Sequence, residues 1–367
     1  AFRYRDFVEW HERRDVVGER EYWQNVLAGF DEPTHWREGL ACAREIGESR
    51  SDSTSGYEQY SLIINSKLTA RIQAFATESR LTLNTVMQAV WAILLHRYSG
   101  HDDVMFGATL SGRNIELEDV ETALGLFINT VPVRVGVESD QTAIQWLNQI
   151  QSDQMEREHF GAVGLLELHE FTEVPSGVPL FDSLLVFENY PLSIEEILES
   201  DSGPLQLVDR DGYERTSYPL AVVIVPGDEL RVEFRYESDK FANSAIQRIA
   251  AQIEVLLGHL VDHPQALVRE LGVLSTNEIE QLQEWGLGPR IPVPAKAIHE
   301  QFRLQAEQSP DAIAIEFMAS EGGGEQQVSY AQLNDWSDEI AGQLAAAAGG
   351  TEWRVGILCD RSPSLVA

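Results

Sequence analysis

The chain alternates repeatedly between two hydrophobic periods, and this limits its fold more than any other feature. Residues 84–100, NTVMQAVWAILLHRYSG, set Val86, Val90, Ile93, Leu94 and Arg97 at helical spacing, and Gly100 is placed to stop the helix. An apolar strand follows directly at 104–109, then a polar loop, SGRNIELEDVE, then a string that alternates at period two over 127–137. A helix-period pattern cannot rest as a strand, nor the reverse, so neither an all-helical nor an all-strand fold fits. The same switching continues on both sides. A strand at 60–64 and a helix at 68–78 come before; a long amphipathic helix at 142–158 and a short one at 165–169 come after. Strands are expected at 181–187, 221–225 and 230–236, the last two joined by the turn sequence PGDE, and a helix over 245–263 closes the unit. Residues 59–265 therefore read as one α/β layer structure, with helices packed on a mostly β core.

Around this unit the pattern changes. Residues 1–36 are rich in aromatic and charged side chains, with Tyr22, Trp23, Val26 and Leu27 at helical spacing, and 37–58 read as a polar loop. A short helix, NEIEQLQEWG, and a proline-rich end, GPRIPVPAKA, make 266–298 a linker. After it a fresh helix–strand–helix–strand pattern begins: a helix at 299–308, a strand at 312–317, a loop SEGGGEQQ, a helix at 330–348 and a strand at 354–360. A second α/β domain starts here and does not complete within the 367 residues.

Composition removes several classes of function. Lys plus Arg is 27 against 59 for Asp plus Glu, a formal net charge of −32. Nucleic acid and anionic membranes both demand a cationic surface, so neither is a partner. Apolar residues make up 43% of the chain, enough for a core, yet no run approaches the ~20 residues of a membrane helix. Two cysteines, Cys42 and Cys359, stand far apart with no zinc spacing, which fits a reducing, cytoplasmic setting. The glycines of SEGGGEQQ lack a following Lys-Ser/Thr, so no P-loop is present. The first residue is not Met, and RSPSLVA breaks off inside an apolar pattern, so both ends read as cuts.

Several short strings resemble the signatures of condensation domains of nonribosomal peptide synthetases, in that family's order. YRDFVEW (4–10) resembles Tyr-x-Asp-Phe-Ala-x-Trp, and LGLFINTVPVR (124–134) resembles Gly-x-Phe-x-Asn-Thr…Arg. PLFDSLLVFENYP (179–191) and YERTSYPL (213–220) match two later stretches, while EREHFGAVGLLEL (156–168) matches its counterpart poorly. IHEQFRLQAEQSPDAIAIEF, VSYAQL (328–333) and RVGILCDRSPSLVA resemble the opening of adenylation domains. The resemblance implies a chloramphenicol-acetyltransferase-like lobe of mixed sheet and helices, followed by the start of an adenylate-forming domain. Residues 1–58 would be the end of the first condensation lobe and its crossover, 59–265 the second lobe, 266–298 the linker and 299–367 the truncated adenylation start.

It also implies a reaction. Condensation domains join a carrier-bound acyl or peptidyl thioester to a carrier-bound aminoacyl thioester through an amide bond. Such chemistry needs a group to orient or deprotonate the amine, and donors for the oxyanion. The family's His-His-x-x-x-Asp-Gly motif supplies the first. No two of the nine histidines here are adjacent, so the motif is expected upstream of residue 1, no catalytic residue is assigned, and this stretch alone is expected to be inactive. No cofactor or metal is expected to bind it. Phosphopantetheine arms of carrier domains and, in a complete adenylation domain, ATP and Mg would serve the whole synthetase. Its partners would be carrier domains and the other domains of the same synthetase. Two other readings stay open: a non-catalytic docking platform of the same fold, and an ester-forming or cyclising relative.

The residues expected to line a substrate tunnel each have a plain alternative. Tyr4, Asp6 and Trp10 either line it or pack and cap locally. Asn129 and Thr130 interrupt an apolar strand and must find hydrogen bonds or face a cavity, while Arg134 could instead secure that strand by a salt bridge. Glu188 and Asn189 end a buried strand. Arg215 and Ser217 sit where the family has an interlobe segment, as a thioester-positioning cation and its neighbour or as a structural tie.

Overall fold

The computed structural model describes residues 3–41, 56–113, 115, 117, 119–188, 215–288, 297–318, 325–347, 355–359 and 362–366. Its chain divides into two compact units, Ala1–Gln283 and Glu284–Ala367.

The first unit is built on a six-stranded mixed sheet. In chain order its elements are α1 (Tyr4–Arg13), α2 (Val16–Leu27), α3 (Trp36–Ala41), β1 (Tyr57–Ile64), α4 (Ser66–Glu78), α5 (Leu83–Ser99), β2 (Asp103–Leu110) and β3 (Asn129–Gly136). Then come α6 (Ala143–His159), α7 (Leu165–His169), β4 (Ser183–Phe187), β5 (Leu220–Val225), β6 (Leu230–Glu237) and α8 (Asn243–Asp262), and α9 (Thr276–Leu287) runs across the division after Gln283. The strand order is β1-β6-β5-β4-β2-β3. β2, β4 and β5 run parallel as neighbours; every other pair is antiparallel.

Local chemistry sets the element ends. Thr82 caps α5 by accepting from the Thr85 amide at 3.0 Å, and Gly100, at φ 75°, ends it with its N–H on the His96 carbonyl. Asn65 accepts from the Leu68 amide to start α4, and Thr142 and Gln145 form a capping box on α6. The turn Pro226–Glu229 brings β5 and β6 together, with Ile224 opposite Val232.

Two apolar clusters fix the layers. On one face α4, α5, α6 and α8 bury Ile72, Trp91, Trp146 and Ile253 against Phe106, Val222 and Phe234. Met105, which alternates with Val104 and Phe106, points the other way, into a second cluster with Trp23, Leu27, Phe30, Val131 and Phe181. Helix α2, within the stretch 1–58 read as lobe end and crossover, thus packs as a wall of the same unit. Polar satisfaction extends the packing: Trp36 is buried and donates its indole N–H to Asp182 at 2.6 Å, and α3 forms around it inside the expected loop.

Several expected boundaries move, each for a packing reason. The strand expected over 127–137 begins only at Asn129, because Phe127 turns inward to a cluster of its own with Val120 and Ala123. β4 begins at Ser183 rather than 181, because Phe181 stacks on Tyr218 at 5.2 Å. The linker read from 266 starts its course inside the core, where Val268 and Leu271 are buried and Leu267 bridges to Thr142.

In the second unit, α10 (Ile298–Gln308) and α11 (Tyr330–Ala347) flank an antiparallel pair, β7 (Ile313–Met318) and β8 (Glu325–Ser329). β8 starts within the expected SEGGGEQQ loop, since Glu325 pairs with Met318. The strand expected at 354–360 is absent among the described residues, where 355–359 have no β partner; a lone strand leaves its backbone groups unsatisfied.

Candidate functional site

One end of the sheet gathers most of the residues singled out in the sequence. The parallel strands β2 and β4 finish there with Leu110 and Phe187, and β3 begins there with Asn129 opposite Leu110. Residues 111–128 form an excursion between β2 and β3, and α1 packs on it. Tyr4 donates its hydroxyl to the Leu126 carbonyl at 2.8 Å. Its ring meets Phe127 edge-on at 5.4 Å; Phe7 lies 4.8 Å from Phe127 and stacks on Trp10 at 5.9 Å. A Cβ on Gly125 would overlap the Tyr4 ring, so only glycine allows this approach. The string YRDFVEW and the string LGLFINT, 120 residues apart in sequence, are therefore two halves of one joint.

Asn129 and Thr130 divide in role. The Asn129 amide donates to the carbonyls of Gly161 and Val163, both at 2.8 Å, and so ties β3 to the α6–α7 turn. Thr130 is half-buried opposite Thr109. Glu188 is half-buried just past β4 at the same sheet end, with its amide on the Ile224 carbonyl at 2.8 Å. Asn189 lies outside the described residues. Asp6 closes a capping box with Arg3; the Arg3 amide bound to its carboxylate holds it below the usual carboxylate range.

Three candidates lie elsewhere. Arg134 points along the outer face to the far end of β3. It grips Asp103 through Nε and Nη2 at 3.0 and 2.7 Å, and its Nη1 donates to the carbonyls of Val26 and Ala28. It thereby caps the C-terminus of α2, as the salt-bridge alternative expects. Arg215 is exposed, with its guanidinium 5.9 Å over the Tyr57 ring at the start of β1, and Ser217 is exposed beside it. β1 and β3 are opposite edges of the sheet, five strand spacings or about 24 Å apart, so these two do not share a site with Asn129.

Sequence reasoning missed two groups at this end of the sheet. Carbonyls 160–163 each receive a side-chain donor: Phe160 from Trp23 at 2.8 Å, Gly161 and Val163 from Asn129, and Ala162 from His11 at 3.0 Å. The Arg14 guanidinium, 3.0 Å from His11 Nδ1, can only donate, which leaves His11 Nε2 as the protonated nitrogen facing Ala162. Arg113 is the second, with three carbonyl contacts and a 4.3 Å approach to the Phe127 ring. A helical His and an Arg in a polar loop carry no periodic signal that marks them. A third polar group lies deeper. Arg157 is buried on the Gln88 carbonyl oxygen at 2.9 Å, and burial pushes its pKa down. Among the described residues no group of three His, Cys, Asp or Glu could hold a metal ion.

The condensation-domain family model matches residues 1–283. The chain belongs to the condensation-domain family. Among curated proteins it is 36% identical over 361 residues to one of the linear gramicidin synthase proteins of Brevibacillus parabrevis, covering 98% of this chain and 4% of that one. It is 30% identical to surfactin synthase subunit 2 of Bacillus subtilis, covering 99% of this chain and 10% of that one. The chain thus spans a small fraction of the curated relatives it matches. Among solved structures, the nonribosomal peptide synthetase FmoA3 bound to α-methyl-L-serine-AMP aligns with a TM-score of 0.64 at 19% identity, over 95% of this chain and 37% of that one. The X-domain from teicoplanin biosynthesis aligns with a TM-score of 0.58 at 21% identity, over 75% of this chain and 63% of that one. Both show the shared fold. As a condensation domain of a nonribosomal peptide synthetase module, the chain is homologous to those of the gramicidin synthases.

Proposed function

We propose that this condensation domain forms an amide between an acyl or peptidyl thioester and an aminoacyl thioester, both held on carrier domains, within an elongation module. The observation that carries this reading is the joint at the sheet end, where the Tyr4 hydroxyl meets Leu126 and Phe127 is enclosed by Tyr4, Phe7 and Arg113. Asn129, Thr130 and Glu188 stand at the same sheet end, at the rim of parallel strands, a usual position for chemistry on an α/β frame. The substrates arrive on phosphopantetheine arms; none of the nine histidines of this chain is adjacent to another, so no base for the amine proton is assigned among them. Residues 299–367 then begin an adenylation domain, which when complete uses ATP and Mg. This is supported by the alignment to the linear gramicidin synthase, which continues through 98% of the chain. The setting is cytoplasmic. Among the described residues no helix is long and apolar enough to cross a membrane.

The test uses a module carrying this segment, one carrier loaded with a donor and its own carrier loaded with an amino acid. Appearance of the amide on the downstream carrier supports the reading, and loaded carriers that yield no amide defeat it. A docking platform is the second reading. It is favoured by the likeness to the X-domain solved in complex with OxyB, a TM-score of 0.57 at 21% identity over 75% of this chain. An ester-forming or cyclising relative would release an ester or a ring in the same assay.

A further inference from the structure

One side chain holds the excursion between β2 and β3 in shape. Arg113 Nη1 donates to the carbonyl oxygens of Val120, Glu121 and Ala123 at 2.5, 3.3 and 2.9 Å. The first two belong to a single 3₁₀ turn, whose Val120 carbonyl also receives the Ala123 amide at 3.2 Å, and the third follows it, so Arg113 adds a side-chain donor to a turn with little bonding of its own. The same guanidinium lies 4.3 Å over Phe127, whose ring meets Tyr4 and Phe7 of α1. Tyr4 closes the circuit on the carbonyl of Leu126. The neighbouring Gly112 has φ 64°, and a Cβ there would overlap the Phe127 carbonyl, so the two limbs cross backbone against backbone. Beyond this crossing Leu124 and Leu126 stand 95% and 76% exposed, an apolar ridge with little packing of its own to hold it. Its shape must come from the polar ties beneath it.

We infer that Arg113 is a positioning residue for the condensation reaction: it holds residues 120–128, and through them Tyr4 and the entry to Asn129, in the geometry the site requires. This rests on the amide-forming reading above. Arginine is needed for its planar fork; lysine can place a charge over the ring but cannot reproduce the guanidinium geometry under the three carbonyls. The loop leads directly into Asn129 at the sheet end where the reading above puts the chemistry, and there a small displacement lowers turnover more than it lowers binding.

The test measures amide formation on the complete module with donor and acceptor carriers loaded, with turnover normalised to folded protein. Arg113→Met is expected to lower kcat by about tenfold or more, with the KM for the loaded acceptor carrier changed by about twofold or less. Arg113→Lys, the safer variant for folding, is expected to lose about threefold or more. Adding Tyr4→Phe to Arg113→Met should cost nothing further, because both act on one loop. The inference is overturned if Arg113→Lys turns over at the rate of the unaltered module, or if the two losses multiply. An unaltered module that makes no amide with both carriers loaded sinks the functional reading instead.

Discussion

Replacing Arg134 by Gln separates a structural arginine from a substrate-lining one. Its guanidinium makes two kinds of contact. Toward Asp103 it forms a bidentate pair, but the Asp103 side chain is 45% exposed and that of Arg134 22%, so screening leaves this part about 0–1 kcal/mol. Toward α2 it donates to the carbonyls of Val26 and Ala28 at 2.9 and 2.8 Å, which no other described donor serves. Two charge-assisted bonds at a helix end contribute about 2 kcal/mol together once solvent competition is included. The loss should therefore total about 2–3 kcal/mol, a fall of roughly 3–5 °C in melting temperature for a unit of this size. Thermal unfolding of the purified chain, followed by circular dichroism, reads it directly. Asp103→Asn should cost less, because the carbonyl bonds survive. A melting temperature for Arg134→Gln within about 1 °C of the parent, well inside the shift expected, would refute the assignment. So would equal losses for the two variants.

Other outcomes follow from the same contacts. Asn129→Ala leaves the Gly161 and Val163 carbonyls without their side-chain donor and should destabilise by about 1–3 kcal/mol in urea unfolding; an unchanged midpoint contradicts the tie. Gly112→Ala forces a side chain into a left-handed backbone and against Phe127, so it should cost more than about 1 kcal/mol and speed proteolysis within 111–128. Burial raises the Tyr22 pKa from 10.0 to about 12. The raised folded-state value means its contribution is complete below pH 10 and is lost as pH climbs from 10 to about 12. Tyr22→Phe should flatten the fall in stability across that window, and an identical slope would count against it.

Much of the frame could be read from residue patterns, because burial drives both the pattern and the fold. The α5 helix and its Gly100 stop appear as expected, since αL glycines act locally. The PGDE turn likewise joins β5 and β6. Phe127 was legible as one more alternating apolar residue and as the Phe of a matched signature, neither of which tells where its ring goes. Its inward turn depends on Tyr4 and Phe7, 120 residues away, and no local rule contains that information. Arg134 sits inside a matched signature, yet its partners are the end of α2 and Asp103, so the signature marks it without telling its role. Tyr4, Asn129 and Glu188 come to one end of the sheet, whereas Arg215 and Ser217 fall at the opposite edge, because strand order rather than chain order decides proximity. His11 escaped notice and Trp23 was legible only as one position of a helical pattern, since a donor aimed at a distant turn carbonyl leaves no spacing behind.

The central proposal is that the module carrying this condensation domain makes an amide on carrier-bound substrates, and that these 367 residues, which hold no adjacent pair of histidines, do not do so alone. Mass spectrometry of the downstream carrier decides it, with the complete module and the isolated 367-residue chain run side by side on the same loaded carriers. The account predicts an amide-bearing carrier from the module and none from the chain alone. An amide made by the isolated chain, or a fully loaded module that makes none, would contradict it.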